Sequence, residues 1–285
     1  MEMMFIKPSE PLAKVVQYYF IYKIAPETLM EKFPDGMKVL PNTYGRLGIF
    51  FEQPSFKIEK GEYKKFNPQI GASGFYTEPR LYFSNARIVM LIVGFTPTGL
   101  QRLLNFRLAE INNQNVSLGD IFTDQYDRLL NELNTAGSWN DRILILENFI
   151  LDEMNDKASA QQIEKVIQRI NKLNGACTVK SLAKDFWVGE RTLRRKFRQC
   201  VGIGPKLFSK IVRFQKALQL IREQKHWSLG RIGYELGYFD QAHFIHDFEA
   251  FYGKKPLDFR REIPSDFGHF YDNHQKSLSG NIAYT

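Results

Sequence analysis

Cysteine and histidine are scarce in this chain of 285 residues, and their placement excludes several chemistries. The two cysteines, Cys177 and Cys200, cannot supply a four-thiolate zinc site. A single disulfide is not expected in a reducing compartment, and apolar neighbours mark both thiols as small core residues. The five histidines, His226, His243, His246, His269 and His274, all fall from His226 onward, which leaves the N-terminal half without an imidazole for a transition-metal site. Residues 1 to 155 also lack a Ser/His/Asp set and a phosphate-cradling Gly-rich loop, so neither an enzyme nor a cofactor is expected. Long apolar runs are missing too: the longest, Ile88 to Phe95, falls far short of the roughly 20 residues that span a bilayer. The start, Met1 to Pro8, has no basic region leading into an apolar stretch and a small-residue cleavage site, so the expectation is a cytoplasmic protein with no membrane partner.

What the chain does have is 44% apolar and 14% aromatic residues, enough for two ordinary domains with real cores. Its formal charge of +8 is unevenly spread. Gln162 to Glu262 holds 21 Lys/Arg against 10 Asp/Glu, a surplus of 11, while the rest of the chain has a deficit of 3. A basic segment beside a mildly acidic one suggests an anionic partner, with nucleic acid the first candidate and a solvated lysine-rich surface the plainer alternative.

Residues 1 to about 110 have the grammar of strands and turns. Val15 to Tyr22 is β-branched and aromatic, Leu47 to Phe51 is a short apolar run, and Ala86 to Phe95 is the strongest candidate for a buried strand. Pro34-Asp35-Gly36, Asn67-Pro68 and Gly71-Ala72-Ser73-Gly74 carry turn signals between them. This spacing favours an antiparallel barrel or sandwich. Helices are expected after Thr96-Pro97-Thr98-Gly99, with Pro97 in a first helical turn, then over Asp120 to Leu133 and Trp139 to Met154. Ile143, Leu146, Ile150 and Met154 line one face of the last, a candidate surface either for self-association as a homodimer or for packing on its own domain. Aromatic residues of this half, Tyr18, Tyr22, Phe50, Phe75, Tyr82 and Phe95, are candidates for lining an effector pocket, with ordinary core packing as the default.

The pattern becomes helical from Ile163. The fold class is thus α+β: a β-rich N-terminal domain with helices over 1–157, an all-α domain of two helix-turn-helix units joined by a long helix over 158–264, and a tail over 265–285. A repeat defines the second domain. Phe197, Gly202, Pro205 and Phe208 return 51 residues later as Phe248, Gly253, Pro256 and Phe259. Upstream the offset is 50: Thr178-Val179 returns as Ser228-Leu229 and Leu182 as Ile232. Each copy has a capped short helix, a turn, a second helix and a Gly-x-x-Pro exit. The helix Pro205 to Gln224 joins them, and two recognition helices in successive major grooves must sit about 34 Å apart.

The segment resembles the DNA-binding domain of AraC/XylS transcriptional regulators. The residues that carry the resemblance are Ser181-Leu182-Ala183, the run Arg213 to Ile221, Ile232 to Phe244 and Phe248 to Arg260. Pro34-Asp35-Gly36, Val93 to Gly99 and Leu118 to Phe122 more loosely resemble a sensor domain that precedes such modules. The resemblance implies double-stranded DNA as partner, RNA polymerase as a further one, and base readout by Arg191, Arg194 and Arg195. Arginine suits guanine O6 and N7, with about 1–3 kcal/mol of discrimination per bidentate pair. Lys196 and Arg198 are better assigned to phosphate or solvent. Thr178 and Ser228, at helix starts, offer either phosphate-facing N–H groups or plain capping. Gln241 and His246 are the best contacts of the second copy, which has Asp247 beside them to repel phosphate and is expected to be the less selective. His243 is expected to pack or hydrogen-bond locally. The leading expectation is a sequence-specific regulator, activator or repressor, with a small-molecule effector at its N-terminal domain. Rivals are a ligand-independent regulator whose first domain serves only assembly, and a DNA-repair methyl-transfer protein, which needs a reactive thiolate and usually a zinc site.

Overall fold

The computed structural model describes residues 1–34, 36–52, 56–59, 62–65, 69–84, 86–104, 106–155 and 160–261. Asp35 of the first turn signal, Asn67-Pro68, the domain boundary near 157 and the tail from Ser265 lie outside them. The described residues divide into two compact units. The first holds Met1–Val39, Tyr44–Phe75 and, from Arg80, the residues up to 155; the second holds those from Ala160 with the short segments Leu40–Thr43 and Tyr76–Pro79.

In the first unit the strands are β1 (Glu2–Ile6), β2 (Val16–Ile24), β3 (Met37–Val39), β4 (Arg46–Phe50), β5 (Phe56–Glu59), β6 (Glu62–Lys65), β7 (Ile70–Ser73), β8 (Arg80–Phe83), β9 (Ile88–Phe95) and β10 (Val116–Ser117). They form a six-stranded antiparallel sheet in the order β1-β2-β9-β4-β7-β10 and a four-stranded one in the order β3-β8-β5-β6. Neither sheet closes, so the β-rich expectation holds in its open form and a closed barrel does not form. β9 runs down the middle of the larger sheet, between β2 and β4, and its residues are buried on both faces except Met90. That burial explains the near-continuous apolar run noted in the sequence.

The Gly71-Ala72-Ser73-Gly74 stretch is not a turn: Ile70–Ser73 is β7, pairing Gly71 with Gly48 on one side and Ser117 on the other. Glycine allows close approach there: a Cβ on Gly71 would lie 2.5 Å from the Asn115 amide oxygen, and that side chain would have to move. Pro97 likewise precedes the helix it was expected to open; α2 spans Gly99–Leu103 behind Thr98.

The helices of this unit are α1 (Pro26–Lys32), α2, α3 (Thr123–Thr135) and α4 (Trp139–Glu153). Ser138 caps α4, its hydroxyl accepting from the Asp141 N–H at 3.1 Å. Ile143, Leu146 and Ile150 of α4 are buried within the chain, and Met154 caps the helix end. The face considered for self-association is therefore already covered, because the first unit uses it as core. Tyr18, Tyr22, Phe50, Phe75 and Phe95 are core residues as well, while Tyr82 is half-buried.

The second unit is helical: α5 (Ala160–Lys172), α6 (Val179–Asp185), α7 (Glu190–Val201), α8 (Pro205–Glu223), α9 (Leu229–Glu235), α10 (Gln241–Tyr252) and α11 (Pro256–Arg261). The repeat is exact in its elements. α6 and α9 each have seven residues and start 50 apart, whereas α7 and α10 each have twelve and start 51 apart. Both second helices end in a left-handed glycine, Gly202 at φ 84° and Gly253 at φ 83°, three residues before a helix-starting proline.

Candidate nucleic-acid interface

α8 is the spine on which both copies pack. Phe208, Ile211, Phe214, Ala217, Leu218 and Ile221 are buried along its 19 residues, a rod of about 28 Å at the usual rise per residue. Phe197 of α7 meets Phe208 edge-on at 5.4 Å, and Phe248 of α10 meets Phe214 at the same distance. Arg213, also on α8, donates to the Gly175 carbonyl at 2.9 Å, in the turn ahead of the first copy, and lays its guanidinium 4.7 Å from the Tyr238 ring of the second. Burial above all, then the charge of the Asp247 carboxylate, holds the Tyr238 phenol far above its ordinary pKa; the neighbouring Arg213 opposes this. The ring therefore packs there as a neutral group.

α7 carries two stripes at i, i+3, i+4, i+7 spacing. Leu193, Lys196, Phe197 and Cys200 form the inner one, in which Leu193, Phe197 and Cys200 are buried and Lys196 is half-buried, donating to Gln162 of α5 at 3.2 Å. Arg191, Arg194, Arg195 and Arg198 form the outer one and are all exposed. Arg194 pairs with Glu190 at 2.7 Å and Arg195 reaches Gln199 at 3.5 Å, contacts between exposed groups that a stronger anion can displace at small cost. The outcome is a row of guanidinium groups on one face of a rigidly held helix, suited to bidentate contact with phosphate or base edges.

The same two stripes recur on α10, with different contents. Phe244, Asp247, Phe248 and Phe251 are the inner, buried one. Asp247 therefore does not face outward as expected from its place beside His246: it is 4% exposed and accepts from Lys210 of α8 at 2.8 Å. His243 lies 3.6 Å from the same carboxylate and edge-on to Tyr238, the local packing expected of it. The outer stripe holds Ala242, Ile245, His246 and Glu249, of which His246 and Glu249 are exposed polar groups. Gln241, exposed, opens the helix. Position by position this stripe stands where the arginines stand in α7, so the second copy offers one histidine and a carboxylate in place of four cations.

Thr178 and Ser228 both act as caps. Thr178 Oγ1 accepts from the Ser181 N–H at 3.0 Å and Ser181 Oγ returns the contact to Thr178 N–H, while Ser228 Oγ accepts from the Arg231 N–H at 3.1 Å. Cys200 is buried and Cys177 half-buried, its sulfur 3.5 Å from Ser209 Oγ. Among the described residues no three His, Cys, Asp or Glu side chains gather as a metal site, and no helix is long and apolar enough to cross a membrane. The residues that sequence reasoning passed over are Trp187 and Phe239, each 95% exposed, in the turns that lead into α7 and α10.

Residues 182–262 match a family model described as a helix-turn-helix domain, and residues 4–117 match a domain of unknown function, DUF6597. The Msm operon regulatory protein of Streptococcus mutans serotype c is 25% identical over 127 residues, covering 43% of this chain and 45% of that protein. The chain thus matches less than half the length of this relative. Among solved structures, the C-terminal domain of AraT, a response regulator from Geobacillus stearothermophilus, is 24% identical, with 37% of this chain and 88% of that one covered at a TM-score of 0.34. ToxT from Vibrio cholerae O395 is 10% identical, with 86% and 97% covered at a TM-score of 0.43.

Proposed function

For a chain that belongs to the AraC/XylS family of transcriptional regulators, we propose sequence-specific binding of double-stranded DNA through two successive major-groove segments, α7 in one and α10 in the next. The observation that carries this reading is the repeated pair of helices on one rigid spine, with Arg191, Arg194, Arg195 and Arg198 exposed along α7. α7 is the selective element, with Arg194 and Arg195 as its base-reading residues, and Arg191 and Arg198 at its margins. α10 contributes Gln241 and His246 and is less selective, because its outer stripe has Glu249 where α7 has Arg198. Lys196, tied to Gln162, acts mainly by steadying α7. The protein is a regulator rather than an enzyme, and RNA polymerase is the partner through which such binding acts.

Control by a small molecule fits the first unit, whose aromatic core holds polar groups. Glu147, 8% exposed, accepts from the Ser9 N–H at 2.8 Å and stands beside the buried Tyr19 phenol. A rise in melting temperature of the full chain with one member of a metabolite panel supports this part, and no response across the panel favours a unit that serves assembly alone. Selection of bound duplexes from a random library tests the whole reading. A site with a strongly defined half and a weakly defined half about one helical turn apart is expected, and recovery of no enriched sequence refutes it.

A further inference from the structure

Among the described residues of the second unit three large aromatics are exposed: Tyr234, on α9 at 80%, and two that lie in turns, Trp187 and Phe239. Trp187 and Phe239 are each 95% exposed, whereas other large aromatics of the repeat, such as Phe197, Phe208, Phe244 and Phe248, are buried. Trp187 and Phe239 occupy the same turn of each copy without being equivalent positions. Trp187 lies two residues before Gly189, the N-cap of α7, and Phe239 lies one residue before Asp240, the N-cap of α10. Each is thus set in the turn ahead of a recognition helix, on the approach to the outer stripe.

Trp187 carries a second oddity. Its backbone is left-handed, at φ 53°, a conformation uncommon for a bulky residue. The repeat shows what the turn itself asks for: 50 residues on, Gly237 holds the same left-handed place at φ 71°. The two turns are closed by matching hydrogen bonds, Trp187 N–H to the Lys184 carbonyl and Val188 N–H to Ala183 in one, Gly237 N–H to Tyr234 and Tyr238 N–H to Gly233 in the other. Glycine would serve at 187 without strain. An indole kept there, strained and in water, stabilises nothing in the free unit, so its gain lies in a bound state.

We propose, building on the DNA-binding reading, that Trp187 and Phe239 are backbone clamps: each ring packs on deoxyribose at the lip of the major groove that its recognition helix enters. The occupant is DNA because Trp187 lies in the turn that leads into α7, whose four exposed arginines attract a polyanion and no apolar protein face. Sugar is the part it meets because both residues sit in turns off the recognition helices, where the strand backbone passes, and base edges lie beneath the helices themselves. The contact is apolar and independent of sequence, so it differs from the arginine contacts in two measurable ways: it leaves the salt dependence alone and it acts on every duplex.

The test compares full-length protein with Trp187→Gly and Phe239→Ser on a selected site and on a random-sequence duplex. Each variant is expected to bind both duplexes roughly tenfold more weakly, with an unchanged slope of log affinity against log salt. Trp187→Gly is expected to melt at the same temperature as the parent or higher, since glycine relieves the left-handed strain, so the loss cannot be put down to unfolding. Acrylamide quenching of the fluorescence that Trp187→Gly removes should fall when DNA is added. Unchanged affinity on both duplexes overturns the proposal. A loss confined to the selected site overturns it in favour of base contact, and a loss of self-association in the free protein overturns it in favour of a second copy. Failure of the parent protein to bind any duplex refutes the functional reading itself.

Discussion

The pair formed by Lys210 and Asp247 makes an unequal prediction about its two halves. Asp247 has 5% of its side chain exposed and Lys210 has 36%, and they meet at 2.8 Å across the contact of α8 with α10. Asp247→Asn removes the charge that is costly to bury and leaves a lysine that can turn to water. Lys210→Met leaves a buried carboxylate whose Oδ2 already has no hydrogen-bond partner. Breaking a buried pair by removing one partner costs about 3–5 kcal/mol when the other stays uncompensated. Solvent around Lys210 and the nearby His243 reduce that to about 2–3 kcal/mol for Lys210→Met, and to about 1 kcal/mol for Asp247→Asn. Urea unfolding followed by far-ultraviolet circular dichroism reads the difference, because the second unit holds most of the helix. Equal losses, or a larger one for Asp247→Asn, refute the assignment of Asp247 as a buried structural carboxylate and restore it to the outer face.

Arg195→Ala should lower affinity for the selected site by about 1–3 kcal/mol and relax preference at one base pair, measured by repeating the library selection; an equal loss on random DNA would move Arg195 to phosphate contact. Ile150→Asp should unfold the first unit rather than yield a soluble monomer, since Ile150 is 0% exposed, and a folded protein with an unchanged melting profile would contradict the packing of α4. Thr178→Ala should cost about 1 kcal/mol in urea unfolding through loss of the reciprocal cap at the start of α6, with DNA affinity changed only in proportion. A much larger loss of affinity than of stability would assign the hydroxyl to DNA.

The second unit was legible because its signals are local. A helix cap, a left-handed glycine and a helix-starting proline each act within a turn, and their recurrence 50 or 51 residues on needs no tertiary knowledge. Asp247 was misplaced although the sequence held the clue: Phe244, Asp247, Phe248 and Phe251 follow i, i+3, i+4, i+7 spacing, which puts the acid on the inner face with three phenylalanines. Adjacency to His246 is the wrong measure, since neighbours on a helix point about 100° apart. The exposure of Trp187 and Phe239 had no such clue, because an aromatic residue in a turn is as readily core as surface.

In the first unit the long runs that became β2, β4 and β9 were found to within one to two residues at most ends. The short strands β1, β3, β5, β6, β7, β8 and β10 were not, since a few residues carry little period and their pairing is set by distant partners. β7 shows the difficulty plainly. Its glycine reflects the Asn115 side chain packed against it, and no local pattern distinguishes that from a turn. The same limit applies to α4, whose apolar stripe is evident in sequence while the surface that covers it is not.

The claim on which the rest depends is that one chain places α7 and α10 in successive grooves on one side of a duplex. Hydroxyl-radical footprinting of the full-length protein on its selected site measures this directly. Two protected patches about ten base pairs apart on the same face are expected, the patch opposite α10 being the weaker at low salt and the patch opposite α7 the more sensitive to added salt, because α7 carries arginine where α10 carries His246 and Glu249. Protection confined to one helical turn, or spread evenly around the duplex, would contradict it.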